Sequence, residues 1–331
     1  MLLKLFRGTG PGVLFLLILT TCIFWAGTFL HPQLPGNFIY ETRPMPLYGL
    51  MKMAIGTNPL TGEIFTFVLF CFMMFFLVSF NTSIFFINER TFLPACFYIL
   101  FIAIFPQCQV LNPVLPASVF LMMAMKRIMD SYRKPGTAYN YFDAGIYISI
   151  GSLFYADLVW FGVLLIAGII LLRSGNFIEI IISLLGLAAP FIITAGLYYV
   201  LGKDIGIMLA DIRDNLFDKE AGYHFTRLTI ILLIYTGLIV IVSTGFLIIR
   251  MGSKKIKSRK TFSLLLWSFL ISVVLFYFVP SVSVEIVWIA GIPACYLLAH
   301  YFIFEKKKIF AEIVFTLFFL LVLLIQALNV F

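Results

Sequence analysis

The sequence has very little charge for its length. Of its 331 residues, charged ones make up 11% and hydrophobic ones 62%, whereas a soluble domain carries about 25% charged residues. The chain therefore lacks the polar surface that would enclose a soluble core. Its mean hydropathy of +1.08 and its 38 phenylalanines predict an all-α integral membrane protein.

Several motifs of enzymes and transporters are also missing. The five cysteines include no CxxC pair and the three histidines are scattered, so the sequence predicts no metal site and no disulfide framework. No phosphate-binding GxxxxGK[ST] loop is present, which excludes an ATP-driven pump formed by this chain alone. No carboxylate lies near the middle of an apolar run, which disfavours a proton-coupled transporter. No cofactor is predicted.

Apolar runs that approach the width of a bilayer recur along the whole chain. A bilayer core of about 30 Å needs roughly 20 helical residues. Eleven transmembrane helices are predicted, at 12–30, 64–87, 92–106, 114–129, 143–156, 158–173, 180–201, 228–249, 262–279, 284–303 and 310–329. The runs between 92 and 156 are short, and prolines bracket the first two, so these helices either cross inside the protein or re-enter the membrane. A re-entrant hairpin would reduce the count to nine.

The basic residues fall mainly on one side of this topology. With the N-terminus inside, the inner segments hold 17 Lys and Arg residues and the outer segments hold six. Because cytoplasmic loops are rich in Lys and Arg, we expect a cytoplasmic N-terminus and a periplasmic C-terminus in a bacterial inner membrane. The net charge of +8 is thus an orientation signal, and membrane lipids rather than nucleic acid are the expected partners.

Two outer segments have the spacing of amphipathic helices. Apolar residues recur at intervals of three and four in 47–54 and in 205–216, which predicts two interfacial helices on the outer face. Asp211, Asp214 and Asp218 share another face of the second helix. That face either binds a divalent metal or a partner, or is simply solvated.

The layout of the first 200 residues resembles that of a known superfamily. A proline-bounded outer turn at 105–116 is followed by an apolar helix at 117–129, a basic loop at 127–134 and a glycine-bearing span at 143–152. This order resembles the GT-C superfamily of glycosyltransferases, which use polyprenyl-phosphate sugars. The resemblance implies a polyprenyl-phosphate glycolipid as ligand and a catalytic acid in the first outer loop.

The first outer loop departs from that superfamily in the position of its acid. GT-C enzymes usually have Asp at the head of the loop, whereas the only internal acid here is Glu41, ten residues in. Glu41 is predicted to be the catalytic base and Arg43 a phosphate contact, or the two form a surface ion pair. His224 and Arg227 are predicted as further headgroup contacts.

Short motifs along the chain are similar to those of a second group. They are NERT at 88–91, LNP at 111–113 and FDAG at 142–145. They resemble an uncharacterised family of multi-pass inner-membrane proteins from Bacteroidota. That resemblance implies a location and no activity.

Together these features predict one polytopic membrane domain over 1–331. It comprises a GT-C-like module at 1–200, an outer amphipathic segment at 201–227 and four C-terminal spans at 228–331. The predicted function is binding or transfer of a polyprenyl-phosphate-linked glycan during envelope biogenesis. The alternative is a non-catalytic membrane subunit of an envelope transport or secretion complex, with other envelope membrane proteins as partners. The basic segments 254–260 and 306–308 either bind anionic lipid headgroups or only fix the topology.

Overall fold

The structure is a computed structural model that describes residues 2–33, 39–133, 136, 138–173, 177–218 and 226–330. Within these residues the secondary structure is helical and contains no strand. The helices are α1 (Leu2–Phe6), α2 (Pro11–Leu30), α3 (Ile39–Thr42), α4 (Pro46–Ile55), α5 (Pro59–Ile84), α6 (Leu93–Ile102), α7 (Val114–Asp130), α8 (Ala138–Ser152), α9 (Gly162–Arg173), α10 (Phe177–Val200), α11 (Ile205–Phe217), α12 (Arg227–Arg250), α13 (Ile256–Phe278), α14 (Val287–Phe304) and α15 (Lys308–Val330). Short 3-10 turns precede α9 and α14.

Seven helices of the described chain are long and apolar enough to cross a membrane, namely α2, α5, α10, α12, α13, α14 and α15. The protein is therefore a multi-pass membrane protein by the length and composition of its helices. The predicted count of eleven is not supported, because the other four predicted spans form α6 to α9, of 10, 17, 15 and 12 residues. A helix of 10 residues rises only about 15 Å.

The short helices end where proline and polar residues interrupt the apolar runs. α6 stops before the Phe105-Pro106 pair, and α7 begins directly after Pro113. The predicted span 143–156 is displaced, since α8 already begins at Ala138 and ends at Ser152. α6 and most of α7 are buried, so neighbouring helices cover the breaks in their backbones.

Helix α14 is the centre of the bundle. It is buried along nearly its whole length and packs against α6, α7, α12 and α13. Two buried phenols fix it to its neighbours: Tyr98 donates to the Trp288 carbonyl at 3.0 Å, and Tyr296 donates to the Leu77 carbonyl at 2.7 Å. Both bonds satisfy a polar group in an apolar interior, where an unpaired one is costly.

The protein has two polar ends, which we name by their charge. The basic end contains Arg7, the segment 85–92, the segment 251–255 and Lys306–Lys308, and Arg7 lies 3.1 Å from the Ile303 carbonyl there. The acidic end contains α3, α4, α11, and the segments 153–161 and 279–286, which are joined by hydrogen bonds such as Leu47 N–H to the Leu153 carbonyl at 3.0 Å. Helices α4 and α11 coincide with the two predicted amphipathic helices.

Helices α8 and α10 cross at two glycines. A Cβ on Gly186 would lie 2.3 Å from the Phe142 carbonyl oxygen, and one on Gly145 would lie 2.4 Å from the Ser183 carbonyl oxygen. Small residues allow helix backbones to approach this closely in membranes, where dispersion contacts drive helix association. The close crossing therefore requires glycine, which has no side chain, at both positions.

We expect Gly186→Ala to lower the thermal stability of the purified protein by the equivalent of about 1–3 kcal/mol, because the two helix backbones must move apart. Gly196→Ala is the matched control in the same helix, since a Cβ there has no neighbour within 4 Å. Thermal unfolding in detergent measures both. Equal midpoints for the two variants would contradict the close crossing.

Candidate functional site

Glu41 lies at the acidic end and already has two partners. Its carboxylate accepts hydrogen bonds from the Tyr48 hydroxyl and the Lys52 ammonium of α4, and only 14% of its side chain is exposed. Burial, and then the charge of Glu41, raises the pKa of Tyr48. The phenol therefore stays protonated and keeps donating to Glu41.

Arg43 connects the first loop to α11. Its guanidinium pairs with Asp214 and lies 3.4 Å from Asp218, while the Asn215 side chain donates to the Arg43 carbonyl at 2.9 Å. The alternative of a Glu41–Arg43 ion pair is wrong, because each residue has a different partner. The acidic face of α11 thus holds this loop. Among the described residues, no group of three or more His, Cys, Asp or Glu side chains is placed to hold a metal.

The two other predicted headgroup contacts are Arg227, which the structure describes, and His224, which it does not. Arg227 is the first residue of α12, and it is exposed with no hydrogen-bond or ion-pair partner among the described residues. A cavity of about 190 Å³ lies beside it, between the start of α12, the end of α15 and the segment Pro106–Gln107. His224 lies outside the described residues.

A buried aspartate at the acidic end has no signal in the sequence pattern. Asp157 is 1% exposed, and its Oδ1 lies 3.0 Å from the Ser281 hydroxyl, which is also 2.9 Å from the Leu216 carbonyl. One hydroxyl proton cannot serve both acceptors. Protonation of Asp157 would remove the conflict, because a carboxylic acid can donate to Ser281 while Ser281 donates to Leu216. Burial raises the pKa of Asp157 to about 7, against the lowering effect of its hydrogen bonds.

This aspartate should make stability depend on pH. Its folded pKa lies above the unfolded value, so its contribution is full below about pH 4 and is lost as the pH rises towards 7. We expect the unfolding midpoint to fall less between pH 5 and pH 8 in Asp157→Asn than in the unaltered protein. Thermal unfolding in detergent measures this, with Asp130→Asn as a control at a partly exposed position. Parallel pH curves for Asp157→Asn and the unaltered protein would contradict the assignment.

A large cavity forms a groove between α12 and α13. It has a volume of about 690 Å³, and α6, α14 and the segment 284–286 complete its walls. Its lining is apolar except for the hydroxyls of Thr236, Ser272 and Tyr277. The first two donate to carbonyls of their own helices, at 2.7 and 2.9 Å, so the Tyr277 hydroxyl is the side-chain donor that remains among the lining residues.

The groove occupies the middle of α12 and the half of α13 nearer the acidic end. Its residues on α12 run from Leu233 to Ile241 and those on α13 from Phe269 to Tyr277, a depth of roughly 12 Å for eight residues. Ile241 and Tyr277, on its rim, are 73% and 76% exposed. The groove therefore opens sideways, on the surface that faces lipid.

Nothing in the sequence pattern distinguished this groove. Both helices are apolar on every side, so no periodic face shows where they separate. The one local signal is Gly237, which lines the groove and where an added Cβ would have no neighbour within 4 Å.

Comparison with known proteins gives a family and no activity. No curated protein and no solved structure matches the sequence. A family model, described as a family of unknown function (DUF6427), matches residues 45–330. This match includes α4, α11 and every helix that lines the groove. The chain thus belongs to the DUF6427 family.

Proposed function

We propose that the protein binds a long-chain lipid with a phosphate headgroup, of the polyprenyl-phosphate-linked glycan class, in the groove between α12 and α13. The observation that carries the proposal is the apolar cavity of about 690 Å³ open to the lipid side. Its volume lies within the range of about 300–1,000 Å³ typical of ligand pockets. An acyl or isoprenoid chain suits this lining, which is apolar apart from three hydroxyls.

The position of Arg227 supports the proposal that it contacts the headgroup. Arg227, Ile234 and Ile241 are seven residues apart and share one stripe of α12, and the two isoleucines line the groove. The backbone of Arg227 lies roughly 9 Å along the helix axis from Leu233, the first groove residue on this helix, at 1.5 Å per residue. Arginine binds phosphate oxygens through paired N–H groups, and Arg227 has no competing partner among the described residues.

Binding is better supported than transfer. Glu41 is not among the residues that line the groove, and its carboxylate is occupied by Tyr48 and Lys52. Its predicted role as a catalytic base remains a prediction. Loss of glycan transfer in a folded Glu41→Gln variant would support that role.

A second candidate function is docking to another membrane protein of the envelope. Large apolar side chains on α4 and α11 are exposed at the acidic end, among them Leu50, Met53 and Ile207 at 60–83%. These faces suit either a membrane surface or a partner. Stable co-purification with an envelope protein that is lost on substituting Met53 with Lys would favour docking.

We also infer that the protein lies in a bacterial inner membrane with the basic end in the cytoplasm. The clustering of Lys and Arg at that end supports this orientation. The ends of the short helices support additional passes between the two polar ends. Thr91, just before α6, contacts Arg7 at the basic end. Leu153, just after α8, contacts Leu47 at the acidic end. Leu171, in the last turn of α9, contacts Lys260 at the basic end.

We expect Gly237→Phe to reduce the amount of co-purified phosphate-bearing lipid by about tenfold, which corresponds to 1.4 kcal/mol, because the ring occupies the groove. Gly245→Phe is the matched control, since it lies in the same helix, does not line the groove and also has no neighbour within 4 Å of a Cβ. Mass spectrometry of lipids bound to protein purified in mild detergent provides the measurement. Equal retention by both variants would rule out the groove as the binding site.

The proposed orientation makes a separate prediction. Alkaline phosphatase fused after residue 331 should be active and a fluorescent protein fused there should be dark, since a periplasmic C-terminus is expected. Fusions after residue 254, within the basic end, should behave in the opposite way. Activity of both phosphatase fusions, or of neither, would refute the orientation.

A further inference from the structure

Two cations at the basic end have no acidic partner among the described residues. Arg250 ends α12, and its guanidinium carbon lies 4.0 Å from the centre of the Phe246 ring. Lys254 follows in the loop, and its ammonium lies 5.2 Å from the ring centres of both Phe262 and Phe304. Aromatic faces attract cations at such distances, so the rings hold the two side chains side by side.

Lys254 retains donors that the protein does not use. Its side chain is partly buried, and no described oxygen accepts a hydrogen bond from its ammonium. Burial, and then the charge of Arg250, lowers its pKa. Two like charges held together in a partly buried place favour an anion between them.

The guanidinium of Arg250 has N–H donors that the described residues do not use. One of its N–H groups reaches the Phe304 carbonyl at 3.2 Å, at the end of α14. A guanidinium carries five donors. Glu305, the acid nearest in sequence to Phe304, starts the loop before α15. Its carboxylate accepts a hydrogen bond from the Lys307 backbone N–H at 3.0 Å.

The first turn of α13 adds backbone donors at the same place. α13 begins at Ile256, two residues after Lys254, and Lys255 at its N-cap makes no side-chain capping bond. The first N–H groups of a helix have no acceptor within the helix. They point out of its positive end, which attracts phosphate.

We propose that Arg250, Lys254 and the first turn of α13 bind a phosphate group, supplied by the headgroup of an anionic phospholipid. Arginine provides a paired contact with two phosphate oxygens, and lysine adds a point charge. This site lies at the opposite end of α12 from Arg227, so it is independent of the groove. Arg250 and Lys254 have this aromatic support. For the neighbouring Lys255, at the N-cap of α13, and Lys257, in its first turn, the described part of the chain shows no ring contact.

The test compares adjacent lysines that carry the same charge. Purified protein in mild detergent is titrated with short-chain phosphatidylglycerol near physiological salt, and binding is followed by native mass spectrometry. Lys254→Gln should weaken binding about tenfold, as loss of a charge-assisted contact does. Lys255→Gln, at an exposed position, should change it by less than about twofold. Lys254→Arg should restore most of the affinity.

The outcomes separate the possible sources of phosphate. Competition by inorganic phosphate, with the same order among the variants, would assign the site to free phosphate instead of a headgroup. Equal weakening by the two glutamine variants would show only a diffuse basic surface and overturn the proposal, as would no binding by the unaltered protein. If Lys254→Gln does not fold, Arg250→Lys provides the test, since it keeps the charge but loses the paired contact and should also weaken binding.

Discussion

The side chain of Asn112 satisfies four backbone groups at the break between α6 and α7, and the buried core depends on this compensation. Its Oδ1 accepts from the N–H groups of Val114 and Leu115 at 3.1 and 2.9 Å, and its Nδ2 donates to the carbonyls of Cys108 and Val110 at 3.2 and 2.9 Å. Asn112 is 2% exposed, so bulk water does not reach these groups to replace such bonds. The chain can therefore use helices shorter than the membrane is wide, provided that longer ones enclose them. α14 lies buried against α6 and α7, the two helices that flank this break.

The sequence is sufficient to predict the long helices and insufficient to predict their lateral arrangement. Runs such as 284–303 and 310–329 match α14 and α15 closely, because length and hydropathy alone define a span. The motif LNP at 111–113 indicates only a family resemblance in the sequence, although Asn112 has a clear structural role. Hydropathy does not reveal which side of α12 meets α14, since lipid and protein interior are equally apolar. The groove therefore follows from packing and has no sequence pattern.

Charged residues are harder to interpret from the sequence than apolar ones. Glu41 and Arg43 are two residues apart in sequence, yet residues at that spacing do not share a helix face, and each pairs across a different interface. Asp157 and Glu285 lie at the ends of apolar runs, where the sequence predicts access to water. The structure buries both, at 1% and 3% exposure. Position along the chain thus indicates nearness to a membrane surface, but burial depends on which loops fold over that surface.

Helices α12 and α13 are joined by a loop at the basic end and are separated by a groove farther along their length. At the basic end a loop of five residues joins them, and the rings of Phe246, Phe262 and Phe304 fix Arg250 and Lys254 there. Farther from that end the two helices enclose the groove over α14. A pair that is fastened by a loop at one end and separated at the other can accept a lipid chain between its helices. The proposed phosphate site would strengthen that fastening, because an anion neutralises the two neighbouring cations. The two proposed lipid contacts lie at opposite ends of the same helix pair and are independent of one another.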